Sequence, residues 1–161
     1  MNRVQVSSVA GCPVPRSEWR GWLTAMLERI AMQPGRVCSA PECAGAERKL
    51  RACRDDMLVE LALMHDAEIA VLNAAHLGCA GPTNILSFPA SPEEAGLGVL
   101  ALGVETWLRE ATLYGQETEE HARHLLAHGL AHLLGHDHGP AMDECCAFLL
   151  EKSAEASSCT A

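Results

Sequence analysis

The stretch HGLAHLLGHDH, residues 128–138, packs four histidines into eleven residues and constrains the fold more than any other part of the chain. Each residue of an α-helix advances by about 100°. His128 and His132, four apart, therefore share one face, and His121 and His124 fall in the same stripe. Leu126, Leu130, Leu133 and Leu134 lie on the opposite side and can face a core. A helix patterned in this way packs its leucines inward and keeps its imidazoles on the other face. Gly135 is expected to end it, because glycine takes the left-handed conformation that helix ends use. GHDHGP then turns the chain back.

A histidine pair at i and i+4 holds two corners of a metal site and needs a third ligand from elsewhere. The series His128, His132, Gly135, His138 supplies one after the turn, with spacing H-x3-H-x5-H. Three protein ligands leave a fourth position for water or substrate, the arrangement of a catalytic zinc. A rival set, His124, His128 and His132, would span two helical turns, about 12 Å, too far for one ion. The bland alternative is a solvated histidine-rich face. The same spacing occurs in the HExxHxxGxxH motif of metzincin proteases, where the Glu after the first His is the general base. Gly129 stands there in this chain and is expected to leave open space beside the metal. Without that carboxylate a metalloprotease is only a minor alternative.

The 161 residues suit one compact domain. With three Trp, two Phe and one Tyr, the core must be built from Leu, Val, Ile, Ala and Met. The formal charge of −9 argues against broad nonspecific binding of nucleic acid. Basic residues nevertheless gather in the first third, at Arg16, Arg20, Arg29, Arg36, Arg48, Lys49, Arg51 and Arg54. The start reads as no signal peptide, and no apolar run approaches membrane-spanning length. The expectation is a cytoplasmic protein whose eight cysteines are reduced. Cys38, Cys43 and Cys53 are spaced more loosely than the pairs of a zinc ribbon and read as free thiols in a variable loop over 34–56. Of the adjacent Cys145 and Cys146, at least one is expected to face the core.

Along the chain, RVQVS at 3–7 alternates like a short strand. Ser17 opens a helix whose Trp19, Trp22, Leu23, Met26, Leu27 and Ile30 recur at helical spacing, ended by Pro34 and Gly35. Residues 57–64 and 97–104 read as strands, as does NILSF, which Pro89 closes. Helices are expected from an Asp66 cap into Ala75, over 105–114, from a Thr118 cap into the histidine segment, and over MDECCAFLLEKS. The tail, 153–161, reads as disordered.

Two stretches resemble one family. HGLAHLLGHDH is similar to the HGxLHLxGYDH signature of the YbeY family, bacterial metal-dependent endoribonucleases of rRNA maturation. GPTNILSFP resembles that family's PT(D/N)VLSFP segment, in the same order and joined by a strand and a helix. The resemblance covers roughly residues 57–150. It implies an α+β fold: one domain over 1–161 in which a small mixed sheet of about four strands packs with about five or six helices, one of them a zincin-like histidine-bearing helix. It implies one zinc ion on His128, His132 and His138, and single-strand-specific RNA cleavage in 16S rRNA 3′-end maturation and ribosome quality control. The 16S rRNA precursor, the small ribosomal subunit and assembly factors are the implied partners.

Three positions depart from the family pattern. Leu77 stands where an Arg usually precedes Gly78, Val99 replaces an acidic residue, and His136 replaces a Tyr. Loss of a cation that could steady phosphorane charge bears on catalysis rather than on the metal. A zinc-binding ribosome-assembly factor with weak or no nuclease activity is therefore the second reading. Near the metal, His124 is a candidate proton carrier or phosphate contact, and Asp137 could orient a ligand histidine. Asn84 and Ser87 are candidates for lining the substrate cleft. No general base stands out.

Overall fold

The computed structural model describes residues 3–37, 57–91 and 93–151. The readings made for Cys38, Cys43, Cys53 and the tail from 153 lie outside the described residues.

Four strands form one sheet: β1 (Arg3–Ser7), β2 (Leu58–Met64), β3 (Ile85–Pro89) and β4 (Gly98–Gly103). Their order is β1-β2-β4-β3, with β1 parallel to β2, β2 parallel to β4, and β3 antiparallel on the β4 edge. Among the described residues five α-helices accompany them: α1 (Arg16–Met32), α2 (Asp66–Leu77), α3 (Val104–Tyr114), α4 (Thr118–Leu133) and α5 (Pro140–Leu150). A single 3-10 turn, Pro34–Arg36, follows α1. The result is the expected α+β class with a small mixed sheet.

The strands alternate as period-two elements must. Val59, Leu61 and Leu63 of β2 are buried toward α1 and α4, while Glu60 points to the other face and is exposed. The main core joins Trp19, Leu23, Leu27 and Ile30 of α1 to Leu100 and Leu102 of β4, Trp107 of α3, Leu126 and Leu130 of α4, and Phe148 of α5. A smaller cluster on the opposite sheet face joins Ile69 of α2 to Leu86 of β3 and Ala101 of β4. Cys145 is buried, as expected for one of the adjacent pair.

Two expected caps are corrected. His65, not Asp66, is the N-cap of α2, and Glu117, not Thr118, that of α4. Asp66 is instead committed to a different helix: its carboxylate accepts from the Thr106 backbone N–H at 3.0 Å and from the Thr106 hydroxyl at 2.9 Å, in the first turn of α3. Glu105 returns the arrangement, accepting from the Asp66 N–H at 2.9 Å in the first turn of α2. A carboxylate satisfies the orphan donors of whichever helix start it reaches, and here the neighbouring helix is nearer. Among the described residues no helix is long and apolar enough to cross a membrane.

Candidate metal centre

The two faces of α4 behave as its periodicity requires. Leu126, Leu130 and Leu133, with Leu134 just beyond, are fully buried. His128 and His132 are half-buried on the other side. The helix closes with a bond from the Gly135 N–H to the His132 carbonyl at 3.0 Å, and Gly135 adopts φ 97°, a conformation that side chains resist. The chain then reverses and delivers His138.

The ligand-capable nitrogens of His128, His132 and His138 lie within 4.8 Å of one another. Nε2 of His132 is 3.2 Å from Nε2 of His128. Zinc–imidazole bonds of about 2.0–2.1 Å at tetrahedral angles put ligand nitrogens roughly 3.4 Å apart, so the donor set fits such an ion. Nδ1 of His132 sits 2.9 Å from the His136 carbonyl oxygen, which can only accept, so the proton belongs on Nδ1 and the Nε2 lone pair is left for a metal. Burial first, then the neighbouring His132 and His138, push the His128 pKa below the usual histidine value. That shift favours the neutral, ligating form.

His136 was expected only as a replacement for Tyr. It is buried, and its Nε2 donates to the Val37 carbonyl at 2.8 Å, pinning the turn that carries His138 to the end of the 3-10 segment. Its anchoring role was missed because the partner lies 99 positions away in the chain.

Gly129 overturns an expectation. Rather than opening space beside the metal, it is buried against the sheet. A Cβ there would stand 2.8 Å from Leu100 Cδ2 and 2.9 Å from Ile85 Cδ1. The missing side chain lets α4 close on β3 and β4. Any side chain here would have to displace the ends of Leu100 and Ile85, so a glutamate at this position would crowd the helix–sheet contact.

The other candidates are distributed around this centre. The Ser87 hydroxyl, on β3, donates to the Gly129 carbonyl at 3.1 Å. Asn84 donates to both Glu110 oxygens, at 3.2 and 3.1 Å, and its own Oδ1 accepts from the Ile85 N–H. Glu110 also holds Nε2 of His121 at 3.0 Å, so His121, in the stripe by angle, is buried and engaged away from the cluster. His124 is exposed and lines a cleft between α4, α1 and α5. Asp137 is exposed in the turn. Leu77 is 63% exposed at the end of α2, and Val99 pairs with Glu60 and Phe88 on the sheet.

The sequence is similar to those of several known proteins. The endoribonuclease YbeY of Nitratidesulfovibrio vulgaris is 49% identical over 105 residues, covering 53% of this chain and 65% of that protein. The endoribonuclease YbeY of Oleidesulfovibrio alaskensis is 48% identical over 109 residues, covering 53% of this chain and 64% of that protein. The chain thus spans a little under two thirds of the length of these relatives. The solution structure of TM1509 from Thermotoga maritima overlays with a TM-score of 0.49 at 19% identity, covering 92% of this chain and 87% of that one. The family model described as Endoribonuclease YbeY matches residues 40–155, a span that takes in β2, β3, β4 and the helices α2 to α5; the chain belongs to the YbeY family.

Proposed function

We propose that this protein is a zinc-dependent endoribonuclease that cuts single-stranded RNA, acting on the 16S rRNA precursor in 3′-end maturation and ribosome quality control. One observation carries the reading: three imidazoles from a helix and its following turn converge on one point, in a chain of the YbeY family. His128, His132 and His138 would hold one ion. Bound there, zinc would act as a Lewis acid toward a phosphate oxygen and lower the pKa of a water.

This chain's own residues do the rest. The His136 carbonyl fixes the His132 ring, and the His136 imidazole fixes the turn. Ser87 and Gly129 hold the edge strand β3 against α4 one residue after His128. Asn84 ties the start of that strand to Glu110 of α3. His124 and Asp137, both exposed beside the ligands in sequence, are the groups available for proton transfer or phosphate contact. The small ribosomal subunit and its assembly factors are the proposed partners, in the cytoplasm.

A second reading, a zinc-binding assembly factor without nuclease activity, is favoured by Leu77, an exposed apolar side chain where the family carries an Arg. Cleavage of single-stranded RNA by purified protein, beside a His132→Ala variant, separates the two. Chelator-sensitive cutting by the parent alone supports the nuclease. Binding without cutting, with zinc retained, supports the assembly factor.

A further inference from the structure

The cleft between α1, α4 and α5 plays no part in the metal centre. It measures about 400 Å³, is floored by Trp22, Met26 and Leu149, and is rimmed by Arg29, Arg123 and His124. Trp19 and Trp107 are fully buried, whereas Trp22 keeps part of its ring in solvent. The Trp22 ring is held edge-on against Trp19, centroids 5.2 Å apart, so it is a fixed aromatic surface. The Arg123 guanidinium stands 5.6 Å from its centroid.

Charge and position single the cleft out. The chain carries a net −9, and in this cleft Arg29 and Arg123 stand against Glu120 and Glu151, with His124 beside them. Glu151 is held by Arg36 through bonds of 2.8 and 3.0 Å, and Arg123 lies over the Trp22 ring rather than in an ion pair with Glu151. Arg29 gives one nitrogen to the Leu149 carbonyl at 2.8 Å and has further donors. His124 precedes His128 by one helical turn, about 6 Å along the axis. A strand leaving the histidine cluster along α4 toward its N-terminus therefore reaches this cleft next.

We propose that the cleft is a nucleotide subsite: one base of a single-stranded RNA stacks in the corner made by Trp22 and Arg123, and the Arg123 and Arg29 guanidiniums take the adjoining phosphate. The ligand class rests on the endoribonuclease reading. Bases of any sequence stack on aromatic faces, and a base must be unpaired to enter, so the subsite selects single strands without selecting sequence. Phosphate contact by two arginines makes binding salt-dependent.

The test is fluorescence anisotropy of a short labelled single-stranded oligoribonucleotide on zinc-loaded parent, Arg123→Glu and Trp22→Leu proteins, and on His132→Ala as a variant without the ion, with cleavage followed in parallel. Arg123→Glu is a surface change that leaves the core intact if Trp22→Leu proves unstable. The expected result is about tenfold weaker binding for each cleft variant, with the salt slope of Arg123→Glu reduced by about one. If the parent binds and the cleft variants bind less, the subsite stands even where nothing is cleaved, and only the nuclease reading falls. Parent-like RNA binding by Arg123→Glu overturns the subsite whatever the cleavage shows. Displacement of the RNA from the cleft by an acidic peptide of equal charge, with tighter affinity, also overturns it in favour of a protein ligand.

Discussion

The Ser87 hydroxyl donates to the Gly129 carbonyl across 3.1 Å, linking the antiparallel edge strand to the histidine helix one residue after His128. The link is possible because Gly129 has no side chain to hold the two elements apart. Removing the hydroxyl with Ser87→Ala is expected to cost about 1 kcal/mol in chemical denaturation, the ordinary net worth of one such bond. The same variant is expected to bind zinc more weakly by a few-fold, since the contact beside His128 loosens; zinc affinity equal to the parent's would restrict Ser87 to a stability role.

Gly129→Ala sets two effects against each other. Alanine is better than glycine in a helix by about 1 kcal/mol. The new methyl meets Leu100 Cδ2 at 2.8 Å and Ile85 Cδ1 at 2.9 Å, and Leu100 is fully buried, so its side chain must repack within the core. Overpacking of this kind costs about 1–3 kcal/mol, so the net expectation is a destabilised protein with a lowered Tm. A raised Tm would mean that the helix and sheet are further apart than described.

Replacing His132 or His138 with Ala is expected to lower bound zinc, measured by mass spectrometry after gel filtration, from about one ion per chain to nearly none. Circular dichroism of both variants should match that of the parent, because neither ring contributes to the core. His124→Ala, by contrast, is expected to keep its zinc.

His128 makes the metal-free protein sensitive to acid. Its folded-state pKa is depressed, chiefly by burial, so the unfolded chain binds the proton more readily. Stability is therefore full above the ordinary histidine pKa of about 6.5 and declines as pH falls below it toward the lower folded value. Urea titrations of apo protein at a series of pH values should show that decline, and His128→Asn should flatten it. An unchanged pH dependence in the variant would assign it to another group.

Asp66→Ala removes the acceptor for both the Thr106 N–H and the Thr106 hydroxyl. A lost helix cap costs about 0.5–2 kcal/mol. Asp66→Asn, which keeps an acceptor oxygen, should recover part of the loss. Equal stability of the two variants would show that the charge, through Arg109 at 3.4 Å, matters more than the cap.

Sequence periodicity alone was enough to place α4, to bury Leu126, Leu130, Leu133 and Leu134, and to bring His128, His132 and His138 together. Those outcomes depend on a 100° step and a glycine turn, which are local properties of the chain. The alternating strands and the buried Cys145 follow from the same kind of pattern. What only the tertiary structure decided depends on which distant residue arrives where. His121 shares the stripe of the ligands, but Glu110 of α3 captures it. Asp66 stands at the start of its own helix yet caps α3. His136 finds the Val37 carbonyl. Gly129, read as an opening, is a point of close approach between helix and sheet. Each of these turns on contacts of 2.8 to 3.0 Å between different elements of the fold, and close packing enforces such contacts while periodicity carries no record of them.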